Sequence, residues 1–383
     1  MSSAAGAFGR YELVRKIADG GMASIYLATT QGPGGFAKPC VIKRIRPEYS
    51  AAPSFREMLV REAKVAALLS HPNIVQVFDF GEVDGEYFLT MEYVEGMPLS
   101  RLITREWRAQ RRLPIPVALS VALEIARALE YIAVGVTVDG QLTKIVHRDV
   151  SPSNVLVATT GAVKLTDFGI VKVLEASAAT VAGVIKGKYA YMSPEQLGGR
   201  ALDIRSDLFS LGVVLFESLT SKRLFRRPDV AATIAAVLGA QVPAVSSLVP
   251  EVPPEVDAIV ARALAKDPDA RYAHASDLIA DLEAALAILP DQRHADRQRA
   301  EVVNRNVVGR DIDVDDTVST TPSPLGDALL GDVPLVAEPL WPGTVVAAFE
   351  SDDVSAGGAS WWMLAAVLLA AVMSLAFWLF VLD

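Results

Sequence analysis

The stretch Ile145-Val-His-Arg-Asp-Val-Ser-Pro-Ser-Asn154 sets Asp149 and Asn154 five residues apart in a loop that runs into a short apolar strand, Val155 to Val157. It pairs a carboxylate suited to accepting a proton with an amide oxygen suited to a hard cation such as Mg2+, which prefers oxygen ligands. Thirteen residues after Asn154 comes Asp167-Phe-Gly169, where a second short strand, Val163 to Leu165, has ended. The glycine allows a sharp turn there, and the aspartate offers a second metal ligand. Taken singly, each of these acids could equally be an ordinary turn residue.

Upstream, residues 11–94 alternate like strands at Glu12 to Ile17, Ser24 to Thr29, Pro39 to Arg44, Ile74 to Glu82 and Tyr87 to Tyr93. One helical stretch, Ser54 to Ser70, interrupts them. The turn Ala18-Asp-Gly-Gly-Met-Ala23 joins the first two strands and could lay backbone N–H groups over phosphates, although a plain hairpin would read the same way. Lys43 is a lone cation inside an apolar strand and needs an anionic partner or an exposed edge, and Glu62 on the helical stretch is a candidate partner. After Val117 the pattern turns helical: Val117 to Val134, Asp203 to Thr220, Val230 to Leu238, Pro254 to Ala265 and Ala275 to Ala287. The chain therefore reads as two-lobed, with the change near Gly96.

The order and spacing of Ala18 to Ile25, Lys43, Glu62, His147-Arg-Asp149, Asn154, Asp167-Phe-Gly169 and Ser193-Pro-Glu195 follow the protein-kinase signature set. On these motifs Tyr11 to Leu289 resembles the Hanks-type serine/threonine protein kinases, especially the membrane-anchored bacterial ones. The resemblance implies an α+β, bilobal fold: a β-rich N-lobe over 11–95 and a larger helical C-lobe over 96–289, after an N-terminal tail of residues 1–10. It implies ATP and Mg2+ as cofactors and protein substrates as partners. Lys43 would pair with the α/β-phosphates and Glu62, Asp149 would accept the substrate hydroxyl proton, and Asn154 and Asp167 would hold Mg2+. Ile17, Ala18, Gly20 and Gly21 would cover the phosphates. Ile25, Val41 and Leu156 match the apolar positions around adenine, while Met91, Glu92 and Val94 match the hinge strand. Glu195 and Arg271 match a buried ion pair, and Asp207 matches a helix aspartate that steadies the catalytic loop.

Three departures bear on that reading. Two loop glycines of the family are Ala18 and Ala23 here, which adds Cβ atoms near the phosphates. The lysine usual two residues after the catalytic aspartate is Ser151, and the threonine usual after Gly187 is Lys188. Lys188 is therefore a candidate catalytic cation standing in for the missing lysine. Both positions help distinguish hydroxyl acceptors in the family, and serine/threonine remains favoured over tyrosine. Thr180, with Ser177 beside it, is the expected autophosphorylation site, because Arg148 precedes Asp149 as in kinases whose activation loop is ordered by phosphate. The expected function is an ATP-dependent protein serine/threonine kinase. The alternative is a pseudokinase scaffold that binds nucleotide or partners without transfer, and a small-molecule phosphotransferase is disfavoured by the Ser-Pro-Glu segment with Asp207 and Arg271.

Composition fits a folded enzyme: 51% hydrophobic residues against 21% charged is enough apolar surface to exclude wholesale disorder. The single cysteine, Cys40, excludes a disulfide framework and any cysteine-cluster metal site. All 36 Lys and Arg lie at or before Arg310, whereas eleven of the 45 Asp and Glu lie beyond it, so the net charge of −9 belongs to the tail and no basic footprint for nucleic acid exists. Residues 290–360, with scattered prolines and the acidic Asp311-Ile-Asp-Val-Asp-Asp316 run, read as a mostly disordered linker. Thr317, Thr320 and Thr321 beside that run are candidate sites for phosphothreonine-binding partners.

Residues 361–382 carry no charge and would reach about 33 Å as a helix, matching the ~30 Å hydrocarbon core of a bilayer. A single-pass transmembrane helix is expected there, with Trp361, Trp362 and Trp378 as interfacial anchors and the lipid bilayer as a partner. The N-terminus lacks the pattern of a secretion signal, and ATP is cytoplasmic, so the kinase domain is expected on the cytoplasmic face of the cell membrane. A homodimer is a further candidate assembly, although the span contains no Gly-xxx-Gly pattern.

Overall fold

The structure is a computed structural model and describes residues 6–20, 23–50, 53–138, 140–168, 188–289 and 294–307. All of them belong to the first of the two units into which the chain divides, Met1–Glu338; the second, Pro339–Asp383, lies outside the described residues together with the apolar run 361–382. Among the described residues, no helix is long and apolar enough to cross a membrane.

The small lobe is a six-stranded antiparallel sheet in the order β1-β2-β3-β4-β6-β5. Its strands are β1 (Gly6–Phe8), β2 (Tyr11–Asp19), β3 (Ala23–Gln31), β4 (Ala37–Ile45), β5 (Val77–Val83) and β6 (Glu86–Glu92). Helices α1 (Pro47–Ser50) and α2 (Pro53–Leu68) lie between β4 and β5. Side-chain alternation turns Tyr11, Leu13, Ala28, Cys40, Ile42 and Phe88 to one face, where they form a buried cluster. Phe8 joins that cluster, its ring edge-on to Phe88 at 5.3 Å. Residues 6–8 are thus a sheet strand, correcting the expected free tail over 1–10: an aromatic side chain that fills the cluster outweighs the small, polar composition around it.

The large lobe begins with β7 (Gly96–Pro98) and α3 (Leu99–Arg108), followed by α4 (Ile115–Val134), the hairpin β8 (Val136–Val138) and β9 (Gln141–Thr143), and the hairpin β10 (Val155–Ala158) and β11 (Val163–Leu165). Then come α5 (Pro194–Leu197), α6 (Ile204–Thr220), α7 (Val230–Gly239), α8 (Pro254–Ala263), α9 (Ala275–Ala287) and α10 (Ala295–Val307). Helix α6 is buried along nearly all of its length and forms the axis of this lobe. Its start is fixed by Asp203, whose side chain accepts from the Arg205 N–H at 2.9 Å. Ser193 and Gln196 form a capping box at the start of α5.

Helix α10 corrects the second domain boundary, because residues 295–307 are packed helix rather than linker. Val302 and Val303 are buried in the main core, and Arg299, although charged, is only 4% exposed. Arg299 and Arg305 bond to the lobe, at Gly161 O and Glu106, so part of the helix's charge belongs to a polar interface, while Arg297 and Glu301 pair with each other on the exposed face.

Candidate active site

Lys43 reaches the site because β4 alternates. Cys40 and Ile42 face the small-lobe core, so Val41 and Lys43 face the opposite side. Ile25 and Leu89 stand opposite Lys43, and Met91 stands opposite Val41, which sets these side chains on one face of the sheet. Ala18 pairs with Ile25 and is buried, with Ile17 beside it, while Gly20 closes the turn by donating its N–H to Ala23 O at 2.9 Å. Leu156 lies on β10 opposite Pro98, just after the crossing between lobes. At that crossing the N–H of Glu92 donates to Gln76 O (2.8 Å) and its carboxylate pairs with Lys164 (2.9 Å). Val94, half-buried, lies two residues further on. Gly96 is required there: a Cβ would stand 2.1 Å from Val157 O, so only glycine lets β7 lie against β10.

Asn154 and Asp167 occupy the open end of the β10–β11 hairpin. The Thr166 N–H donates to Asn154 O at 2.9 Å and pins the two strand ends together. Lys43 Nζ lies 2.6 Å from Asp167 Oδ1, an ion pair that links the two lobes. Asn154 Nδ2 donates both to Asp149 O and to Asp149 Oδ2, each at 2.8 Å. Lys188 Nζ stands 3.8 Å from the same Oδ2. Lys43 with Asp167, and Asp149 with Asn154 and Lys188, therefore form two polar groups whose backbones are joined at the open end of the hairpin by the Thr166 N–H to Asn154 O bond.

The loop that carries Asp149 is held from below. Asp207, fully buried on α6, accepts the His147 N–H at 2.7 Å and the Arg148 N–H at 2.8 Å. Burial pushes the Asp207 carboxyl up to about 7, against the two N–H bonds that favour its charge. The Asp149 N–H donates to His147 Nδ1 (3.2 Å), so that nitrogen is an acceptor and Nε2 carries the proton, which it donates to Thr166 O (3.2 Å). A neutral His147 thus joins the loop of Asp149 to the residue before Asp167. Arg148 and Asp167 both adopt left-handed backbone, with φ of 65° and 55°. Non-glycine residues pay on the order of 1–3 kcal/mol for such conformations, which persist where the surroundings over-determine them.

Glu62, the expected side-chain partner of Lys43, lies on α2 with its side chain outside the described residues, and the lysine pairs with Asp167, a contact not expected from the sequence. Gly21, Ser177 and Thr180 also lie outside them. Glu195 and Arg271 form the expected buried pair, bidentate at 2.7 and 2.9 Å, with Ser206 Oγ donating to the same carboxylate. The roles of His147 and Thr166 escaped the sequence reading, although His147 stands two residues from Asp149. Among the described residues no cluster of three or more acidic, histidine or cysteine groups could hold a metal. The donor set at Asn154 and Asp167 nevertheless suits Mg2+, which commonly takes one or two protein oxygens and completes its shell with substrate phosphates and water. The bonds from the Asn154 amide nitrogen to Asp149 leave its oxygen as the group for a cation.

Known proteins resemble this chain over about three quarters of its length. The protein kinase domain family matches residues 11–281. The chain is 42% identical over 280 residues to the tyrosine-protein kinase MasK of Myxococcus xanthus, covering 73% of this chain and 43% of that protein. It is 37% identical over 277 residues to the serine/threonine-protein kinase PrkC of Bacillus subtilis, covering 72% of this chain and 40% of that protein. The chain thus spans less than half the length of these relatives. Among solved structures, the PknI kinase domain of Mycobacterium tuberculosis superposes with a TM-score of 0.55 at 27% identity, covering 74% of this chain and 99% of that domain.

Proposed function

The chain belongs to the protein kinase domain family, and from that membership we propose that it transfers the γ-phosphoryl group of ATP to hydroxyl groups of proteins. The observation that carries the reading is that the Lys43–Asp167 ion pair and the Asn154–Asp149 bond meet at the open end of one hairpin, where the Thr166 N–H donates to Asn154 O. Lys43 is placed to hold the nucleotide phosphates from the small-lobe side. Asp149, its carboxylate oriented by Asn154, is placed to accept the proton of an incoming hydroxyl. When bound, Mg2+ would neutralise the phosphate oxygens, with Asn154 Oδ1 and the Asp167 carboxylate as its protein donors.

The finer reading is serine or threonine as acceptor, with autophosphorylation at Thr180 and tethering to the cytoplasmic face of a membrane by residues 361–382. The PrkC relationship supports the serine/threonine assignment, while the MasK relationship, Ser151 and Lys188 keep tyrosine as the competing acceptor. The full chain, purified in detergent and incubated with labelled ATP and Mg2+, should label protein acceptors and itself. Asp149→Asn should cut that rate by about 10²–10⁴-fold. Acid hydrolysis should release phosphoserine and phosphothreonine; phosphotyrosine alone would overturn the acceptor assignment. Incorporation no faster than in Asp149→Asn would leave a nucleotide-binding scaffold. Deleting 361–382 should move the protein from the membrane pellet to the supernatant, and an unchanged distribution would reject the tether.

A further inference from the structure

Helix α10 lies beyond the 11–281 family match, yet it is built into the back of the nucleotide site. Arg299 Nε donates to Gly161 O at 2.7 Å, in the turn that closes the β10–β11 hairpin. Gly161 is shaped for this contact: its φ is +90°, and a Cβ there would stand 2.3 Å from Asp296 O. Asn304 Nδ2 donates to Thr159 O at 3.0 Å in the same turn. The Thr159 N–H in turn donates to Glu95 O at 2.8 Å, on the crossing between lobes. Arg305 and Asn306 grip the buried Glu106 of α3, with Arg305 Nη2 at 2.6 Å.

The β10–β11 hairpin therefore has two occupied ends. Its closed end rests on α10, and about 13 Å away, one four-residue strand length, its open end presents Asn154 and Asp167. Its first strand, β10, is the central strand of a three-stranded sheet and pairs with β7, directly after the interlobe crossing. A short, stiff hairpin held at one end transmits the position of that end to the other.

We propose that α10 is a positioning element of the nucleotide site: Arg299, seated under the hairpin turn, sets the placement of Asn154 and Asp167, so docking of α10 governs how well the cleft holds Mg·ATP. Arg299 is a positioning residue and touches neither substrate nor metal. The inference rests on the kinase reading for its meaning, but its test does not require phosphoryl transfer. It also makes the chain that follows the domain a handle on the site, because any pull on residues beyond Val307 acts first on α10.

The test compares full-length wild type with Arg299→Ala, Arg299→Lys, Gly161→Ala and a control, Val256→Ala, which opens a cavity in α8. Affinity for a fluorescent ATP analogue with Mg2+, amide hydrogen exchange and Tm are read on each. Arg299→Ala and Gly161→Ala, which disturb the contact from opposite sides, should each weaken Mg-nucleotide binding by at least about tenfold. Both should speed exchange over residues 155–165 and 93–98, and Arg299→Lys should recover part of the affinity. Val256→Ala should lower Tm while leaving affinity and exchange at those residues unchanged. Should Arg299→Ala fail to fold, Asn304→Ala, which removes the bond to Thr159 alone at the exposed edge, carries the same expectation at smaller size. The proposal is overturned if hairpin exchange is unaltered in the α10 variants, or if Val256→Ala with an equal Tm loss weakens the nucleotide as much. Absence of transfer activity in wild type would refute the proposed function while leaving the exchange comparison decisive for α10.

Discussion

Lys188 and Ser151 depart from the residue types expected from the family resemblance, and the geometry places the lysine beside Asp149. Lys188 Nζ stands 3.8 Å from the Asp149 carboxylate, so a cation is present beside Asp149 although it comes from a different segment. Ser151 is nearly buried and its carbonyl accepts the Asn154 N–H at 3.0 Å, leaving that position a turn-stabilising role. If Lys188 neutralises the transferring phosphoryl group, Lys188→Ala should lower kcat by about 10²–10³-fold, the typical cost of removing one such charge-stabilising donor. The double variant Ser151→Lys with Lys188→Thr should regain at least tenfold over Lys188→Ala, on the order of 1.4 kcal/mol. Steady-state assays on the three proteins decide the matter: a Lys188→Ala enzyme with wild-type kcat assigns the lysine to solvent or substrate contact. Lys43, Asp149, Asn154 and Asp167 were legible in the sequence because their order along the chain is characteristic. His147 was legible in place but not in role, since its tautomer is fixed by Asp149 N–H and Thr166 O, contacts that form only when the loop closes on α6.

At the level of elements, the Glu195–Arg271 pair joins α5, the start of α6 and the segment before α9. Arg271 is 3% exposed and also donates to the carbonyls of Ala265, Lys266 and Arg205, so one guanidinium ties together α5, the start of α6 and the 265–271 segment. Arg271→Ala leaves Glu195 charged and buried without its partner, at a cost of about 3–5 kcal/mol. In a domain of this size the loss should appear as a Tm lower by roughly 6–20 °C in a thermal unfolding scan. Arg271→Lys should fall between, because lysine keeps the charge but cannot make the bidentate contact; a Tm within a degree of wild type for Arg271→Ala would mean that the pair adds nothing. The central helices α4 and α6 to α9 were readable because their buried faces are apolar at helical spacing. Helices α3 and α10 were not, and the reason is the same in both. The buried stripe of α3 runs Leu99, Leu102, Ile103 and then Glu106, while that of α10 runs Arg299, Val302 and Val303. Glu106 is satisfied by Arg111, Arg305 and Asn306, and Arg299 by Gly161 O and Asp296, and apolar periodicity is blind to a face completed by such polar partners.

For the molecule as a whole, these buried charges set the response to pH. Burial works against the charge of Glu195, but the hydrogen bonds from Arg271 and Ser206 outweigh it and hold its carboxyl at about 2. Glu106 is likewise opposed by burial and brought to about 2 by Arg111, Arg305 and Asn306. Both values lie below the 4.5 of a free glutamate, so each group stabilises the fold fully above about 4.5 and loses that contribution as pH falls toward 2. Each is worth up to about 3 kcal/mol, an upper figure for Glu106 because Arg111 and Arg305 are half-exposed. Asp207 acts in the opposite sense: with its carboxyl raised from 3.8 to about 7, the folded state binds its proton more tightly, and this gain disappears as pH rises through 7. The two tendencies place the stability maximum near pH 4.5, with an acid limb below it as the two glutamates protonate and a decline from about 4.5 to 7 as Asp207 ionises. Tm measured from pH 8 to 3 should trace that shape. Glu106→Gln should flatten the acid limb without moving the neutral one, and Asp207→Asn should remove the rise between pH 7 and 4.5 while leaving the acid limb in place. A wild-type Tm that climbs monotonically from pH 3 to 8 would show that Asp207 stays ionised throughout, held by the His147 and Arg148 N–H groups against its burial.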